Sequence, residues 1–237
     1  PAHHFPPPVF FTLMTDTAKQ RVLYWLLGVS AALYASLYLP LGETQLQWYA
    51  VAVSATAVHV VLVYLLLKRK TRLSLPLLLT AAVGFRLLVI GIEPVASDDV
   101  YRYLWDGKVQ AHGINPFLYA PADSAVSELW SDSFPGRINF PEMRTIYPAV
   151  AQYVFVLSYL AGGESVLAFK LFLLLAEIAS LLLFIRLLRA SCRAVERIAV
   201  YALSPLPVLQ FFTDAHVDAL LYPFLLLFVV LYGRRRE

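Results

Sequence analysis

Apolar runs separated by short polar stretches dominate the pattern of this chain. A helix that crosses a bilayer needs roughly 20 consecutive apolar residues, and six runs reach or approach that length. A seventh run, Tyr147–Leu160, has only fourteen residues. The pattern therefore predicts an all-α fold, a polytopic transmembrane helix bundle. The six longer runs are Val22–Leu41, Trp48–Leu67, Leu73–Ile92, Val166–Leu188, Ile198–Phe212 and Val217–Tyr232.

Lysine and arginine indicate which side of the membrane each connection occupies, because short cytoplasmic loops are enriched in them. The basic clusters around residues 19–21, 68–72, 186–197 and 234–236 share the cytoplasmic side only if Tyr147–Leu160 returns to the face it left. Apolar runs of about 10–14 residues are more often re-entrant or interfacial than spanning. The sequence thus predicts about six spans, one outer re-entrant or interfacial helix, and a helical extracytoplasmic loop over residues 93–146.

Composition supports a membrane protein. Of 237 residues, 59% are hydrophobic and 15% are charged, whereas soluble domains carry about 25% charged residues. The net charge of +3 comes mostly from short basic loops, so it indicates topology and not a nucleic-acid partner. The lone Cys192 excludes an internal disulfide and a cysteine-based zinc site. We expect residues 1–21 to be a disordered or non-native segment and residues 22–237 to be a multi-pass domain of the cytoplasmic (inner) membrane, incomplete at its carboxyl end.

The stretch SDDVYRYLWDG, residues 97–107, opens the long polar interval just after an apolar run. Its adjacent carboxylates, Asp98 and Asp99, would lie at the membrane surface, where partial burial raises a carboxyl pKa and makes a better general base. On a helix, Asp98, Arg102 and Asp106 share one face at i, i+4 spacing. A simpler alternative is that Ser97 caps the helix and the two aspartates complement its dipole.

Charged residues inside the apolar runs, and a late polar segment, supply further candidates. Arg86 and Lys170 lie toward the outer ends of their runs, where they would bind a lipid phosphate together with Arg102, or would snorkel to the interface. His216 and Asp218 fall in TDAHVD, between the last two runs, and either position an acceptor or form a plain polar turn. The predicted topology places both of them, with the Tyr147 turn and the paired aspartates, on one aqueous side.

Four segments follow one another in the chain: SDDVYRYLWDGKVQAHGINPF, INFPEMRTIYPAVAQYVF, FKLFLLLAEIASLLLFIRLLR and LSPLPVLQFFTDAHVDAL. Their order resembles the GT-C superfamily of polytopic glycosyltransferases, and most closely the amino-terminal half of bacterial polyprenyl-phosphomannose-dependent α-mannosyltransferases. The resemblance implies that Asp98 and Asp99 are catalytic and that Tyr147, His216 and Asp218 position the substrate or acceptor. It also implies an active site on the extracytoplasmic face.

These expectations define a function. The chain is predicted to be a membrane glycosyltransferase that transfers a hexose, with mannose favoured, from a polyprenyl-phosphate-linked donor to an acceptor hydroxyl. Its expected partners are membrane lipid, the lipid-linked donor and a glycan or glycolipid acceptor, and nucleic acid is not among them. No cofactor is required by the sequence, and a divalent cation is left open. The alternatives are a transporter or flippase of lipid-linked sugars, or a non-catalytic subunit of a glycosyltransferase.

Overall fold

A computed structural model describes residues 15–68 and 71–234 of the chain. Its described residues form helices joined by turns and short 3-10 segments, and they contain no β-strand, which confirms the all-α prediction. The helices are α1 (Asp16–Ala35), α2 (Thr44–Lys68), α3 (Leu75–Val89), α4 (Asp99–Ala111), α5 (Ala149–Gly162), α6 (Val166–Ala190), α7 (Ala199–Ala202), α8 (Pro205–Phe212) and α9 (Leu221–Arg234).

Two of these helices, α2 and α6, are long and apolar enough to cross a membrane. A third span is formed if α8 and the segment Val217–Tyr232 act as one broken helix, although the two are bent by 113°. Pro205 begins α8, where its missing N–H costs nothing. Among the described helices, α3 and α5 are apolar but shorter, with 15 and 14 residues. Length and composition thus support two or three spans, and the larger predicted number stays a prediction.

The first helix starts earlier than the apolar pattern suggested. α1 begins at Asp16, with the Thr15 side chain accepting the Ala18 N–H at 3.2 Å as an N-cap. Residues 16–21 belong to the segment that was predicted to be disordered or non-native. In the structure they form the first turns of this capped helix, and the division of the chain at residue 22 stays a prediction. The remainder of that predicted segment, residues 1–14, lies outside the described residues.

Contacts between helix ends divide the bundle into two faces. On one face, the start of α1 meets the start of α3, because the Gln20 side chain donates to the Arg72 carbonyl at 2.9 Å. On the other face, the Trp48 indole on α2 donates to the Thr213 hydroxyl beyond α8 at 2.9 Å. The Lys170 ammonium on α6 donates to the Ile92 carbonyl just after α3. The second face is therefore built from the ends of α2, α3, α6 and α8.

The fourth and fifth helices pack together beside this second face. Gly107 on α4 allows the close approach, because a Cβ there would overlap the Phe155 carbonyl of α5. Tyr103 stacks on the Phe155 ring with centroids 4.9 Å apart. The far end of α5 also stays near the polar segment, since Glu164 pairs with Lys108 at 2.7 Å. The packing thus keeps both ends of α5 close to α4.

Candidate active site

The paired aspartates at the start of α4 are joined by one amide. The Asn139 side chain donates to Asp98 Oδ1 at 2.7 Å and to Asp99 Oδ1 at 3.0 Å. The helix itself is capped in part by Ser97, whose hydroxyl accepts the Asp99 N–H at 3.3 Å. The Asp98 carboxylate makes no capping hydrogen bond. Capping by Ser97 was one of the two sequence interpretations, but it leaves both carboxylates available to the site.

The late histidine segment reaches the same place. His216 Nδ1 lies 3.9 Å from Asp99 Oδ2, and both side chains are about a quarter to a third exposed. The chain turns into this position through Ala215, whose φ of 58° is a left-handed conformation that is unusual for a residue other than glycine. Asp218, two residues further, is exposed. The structure therefore brings together Asp98, Asp99 and His216, which are remote in sequence.

Asp214 ties the break after α8 to the segment that leads into the aspartates. Its Oδ1 accepts the backbone N–H groups of Val95 and Ala96, both at 2.9 Å, and its side chain is fully buried. The preceding Thr213 is held by Trp48, as described above. The contacts of Thr213 and Asp214 together fix the position of residues 95–97, and therefore of Asp98, relative to the core of the bundle.

A cleft of about 490 Å³ opens beside the aspartates. It contains three of the residues predicted from the sequence, namely Asp99, Arg102 and Tyr147. Such a volume lies within the range of small-molecule sites. The rest of its lining comes from one loop: Asn139, Phe140, Met143, Arg144 and Ile146.

Arg102 sits on the floor of this cleft in a buried polar network. Its Nε donates to Asp106 Oδ1 at 3.0 Å, as the i, i+4 spacing predicted, and Asp106 Oδ2 accepts from Thr145 and from Gln152 at 2.9 Å. Arg102 Nη2 is buried and has no hydrogen-bond partner within the described part of the chain. Burial raises the pKa of the Asp106 carboxyl, although the Arg102 charge and the three hydrogen bonds act in the opposite direction. The network therefore fixes the orientation of the Arg102 guanidinium group at the cleft.

Tyr147 closes the cleft next to this network. The Tyr103 ring contacts the Tyr147 ring edge to face, with centroids 4.9 Å apart, and so packs the proline turn against α4. Burial raises the pKa of the Tyr147 phenol, and the negative charge of Asp99 acts in the same direction. Tyr147 therefore stays protonated at neutral pH and can donate a hydrogen bond to a substrate.

Two of the predicted phosphate ligands lie away from the cleft. Arg86 is fully buried, and its Nη2 pairs with Glu177 Oε2 at 2.7 Å while Nη1 donates to the carbonyls of Ala82 and Ala202. Its guanidinium charge is therefore paired inside the bundle and does not reach the surface. Lys170 is fully buried under the Ile92 carbonyl, near the charges of Glu93 and Asp214. Arg102 alone of the three lines the cleft.

Comparison with known families gives one match. A family model described as "alpha-(1->6)-mannopyranosyltransferase, N-terminal domain" (the MptA_B family) matches residues 24–237. The chain belongs to this family. It is accordingly a glycosyltransferase of an α-mannosyltransferase family, which confirms the enzyme class and the GT-C resemblance. Neither the curated proteins nor the solved structures that were searched contain a significant match.

Within this mannosyltransferase domain, sequence reasoning missed Asn139, Thr145 and Gln152. Asn139 lies in INFPEMRTIYP, a segment that carried the resemblance, but nothing about a single asparagine in a loop marks it as the partner of two distant carboxylates. Among the described residues, no group of three or more His, Cys, Asp and Glu side chains is arranged to hold a metal ion. The polar atoms that converge here are instead carboxylates, amides, an arginine and a tyrosine.

Proposed function

We propose that this domain carries the catalytic centre of a membrane mannosyltransferase. In this proposal, a mannosyl group passes from a polyprenyl-phosphate-linked donor to an acceptor hydroxyl on the extracytoplasmic face. The observation that carries the proposal is the junction of Asp99, Asn139 and His216 beside a cleft that contains Arg102. An acceptor hydroxyl needs a base, and a departing phosphate needs a cation. The cleft offers both.

Asp99 is the proposed general base, because it lines the cleft while Asp98 is exposed at its edge. The carboxylate takes the proton of the acceptor hydroxyl as that oxygen attacks the anomeric carbon. Asn139 holds Oδ1 of each aspartate, so the second oxygen of Asp99 is the one that faces His216 and the substrate. Asp98, His216 and Asp218 then position the acceptor.

Arg102 is the proposed partner of the donor phosphate. Arg102 lines the cleft, and Asp106 fixes the orientation of its guanidinium group through Nε. A guanidinium held in place in advance stabilises the charge that develops on the leaving phosphate without reorganisation in the transition state. Arg144, exposed on the same cleft, adds a second positive charge. We therefore omit Arg86 and Lys170 from the proposed donor site.

Direct attack by the acceptor has a stereochemical consequence. A single displacement inverts the anomeric carbon, so an α-(1→6) product, as in the family description, requires a donor with a β-linked phosphate. Purified protein in liposomes, supplied with a synthetic β-linked polyprenyl phosphomannose and a mannoside acceptor, is expected to form an α-linked product. A nucleotide-linked mannose and the α-linked lipid donor serve as controls. Transfer from the nucleotide sugar alone, or retention of configuration, would refute the proposal.

The proposal includes a topology of six spans with α5 lying in the outer interface. It is supported by the short length of α5 and by the contact of Glu164 with Lys108 and Ser131 of the polar segment. An Ala161→Cys variant in intact cells is expected to react with a membrane-impermeant maleimide. The native Cys192, which is exposed near the basic cluster, is expected to react only after permeabilisation. Labelling in the opposite sense would exclude this topology.

A further inference from the structure

The loop of residues 139–147 gives the cleft an apolar lip. Phe140, Met143 and Ile146 line the cleft together with Asp99 and Arg102, and they are 64%, 50% and 78% exposed. Three large apolar side chains are thus turned toward the outside at the mouth of a charged site. Exposed apolar groups that cluster beside polar ones are typical of a binding surface.

Both polar and backbone contacts hold this lip in place. Asn139 is bonded to the two aspartates, and the Thr145 hydroxyl donates to the buried Asp106. Phe140 has a φ of 52°, a strained left-handed conformation that turns its ring outward. The residues that point inward therefore fix the site, and the residues between them present the apolar lip at a defined distance from Arg102.

The charge around the lip distinguishes it from the other apolar grooves on this face. Arg102 and Arg144 line the cleft beneath it. A groove of about 410 Å³ between α1 and α2 is also apolar, but its one charged lining residue is Glu43. A third groove, of about 450 Å³, lies between the start of α5 and residues 110–117 and has no charged residue in its lining. Of these three grooves in the described part of the chain, the cleft with the lip is the one that matches a molecule that joins an anionic phosphate to a hydrocarbon chain.

The outer surface of α5 continues the lip. Val150 and Tyr153 follow Ile146 on the chain and are 52% and 68% exposed, and Leu157 and Leu160 extend the same face at helical spacing. A hydrocarbon chain that leaves the cleft over Ile146 meets this stripe next. Such a path keeps the chain at the lipid boundary and requires no opening between the spanning helices.

We infer that residues 140–146 form the subsite for the first isoprene units of the donor, with the phosphate at Arg102 and Arg144 and the tail running outward along α5. This inference rests on the proposed function, because it assigns the lipid part of the same donor. It differs from a path between the spanning helices, which is the alternative route for a lipid tail. The lip is thus a specificity element for the carrier and not for the sugar.

Photo-crosslinking tests the subsite without requiring catalysis. The full chain in detergent is irradiated with a farnesyl phosphate that carries a diazirine on its first isoprene unit, with undecaprenyl phosphate as competitor. We expect competed label in the peptide that contains residues 140–147. Ile146→Ser and Met143→Ser should lower the apparent affinity of the probe about tenfold each, equivalent to about 1.4 kcal/mol. Leu46→Ser, which removes an equally exposed side chain from the groove between α1 and α2, should leave it unchanged.

The outcomes separate this inference from the function on which it rests. Competed label on α1 or α2, or loss of probe affinity in Leu46→Ser alone, would refute the subsite at residues 140–146. Neither result would contradict a polyprenyl-linked donor. The mannose-transfer assay is run in parallel with liposomes. Absence of competed label, together with absence of transfer from β-linked polyprenyl phosphomannose, would refute both the proposed lipid-linked donor and the inferred subsite.

Discussion

The ion pair of Arg86 and Glu177 lies in the interior of the bundle, where breaking a charge pair is costly. Both side chains are fully buried, and Arg86 Nε and Nη2 donate to one carboxylate oxygen at 2.9 and 2.7 Å. Tyr201 donates to the other oxygen. A Glu177→Ala change leaves a guanidinium with no counter-charge in an apolar interior, which costs about 3–5 kcal/mol. The population of unfolded protein should rise by roughly two to three and a half powers of ten.

A double-mutant cycle measures this energy. Reversible unfolding in mixed micelles, followed by tryptophan fluorescence, would give the free energy of unfolding for Arg86→Met, Glu177→Ala and the double variant. We expect each single change to be strongly destabilising and the double variant to lie within about 1 kcal/mol of the better single variant, because the second change removes the stranded charge. Additive losses, or singles below about 1 kcal/mol, would refute the buried pair. The KM of the double variant for the lipid donor should be unchanged, since Arg86 is outside the cleft.

Three further changes test the site and its support. Asp99→Asn should lower kcat by about 10²–10⁴ with little change in thermal stability, and wild-type turnover would exclude it as the base. Asn139→Ala removes hydrogen bonds to two carboxylates, each worth about 1.5–3 kcal/mol, and should lower kcat at least about tenfold; an effect on KM alone would argue against positioning. Gly107→Ala should destabilise the fold by about 1–3 kcal/mol because of its contact with the Phe155 carbonyl. Gly84→Ala, a helical site with open space, should instead be neutral or stabilising in the same melting experiment.

Hydropathy predicted the long helices well, since a bilayer-facing helix needs little information beyond its apolar length. The run Val166–Leu188 became α6, Val166–Ala190, and Trp48–Leu67 became the central part of α2. Helix ends were less well predicted, because caps and turns depend on single residues such as Thr15. The polar interval of residues 93–146 is helical only in part, because its second half carries prolines and short polar side chains that favour turns.

The proximity of the aspartates to His216 could be predicted from the number of membrane crossings between them. Residues on the same side of a membrane can come into contact however far apart they are in sequence. The true partner of Arg86 did not follow, because Glu177 lies 91 positions away and either residue alone fits several roles. The predicted phosphate role of Arg86 assumed that an intramembrane charge serves a ligand. Here Arg86 pairs with Glu177 of α6 and donates to the Ala202 carbonyl, contacts that the apolar pattern of neither helix reveals.

The hydrogen bond between Trp48 and Thr213 has a consequence for the membrane around the protein. It connects the start of α2 to the residue before Asp214, and Asp214 in turn holds the backbone just ahead of the paired aspartates. Long helices respond to a thinner or thicker bilayer by tilting. A tilt of α2 would therefore shift the loop that sets the distance between Asp99 and His216. The turnover rate should then depend on the chain length of the bilayer lipids even when the donor is saturating.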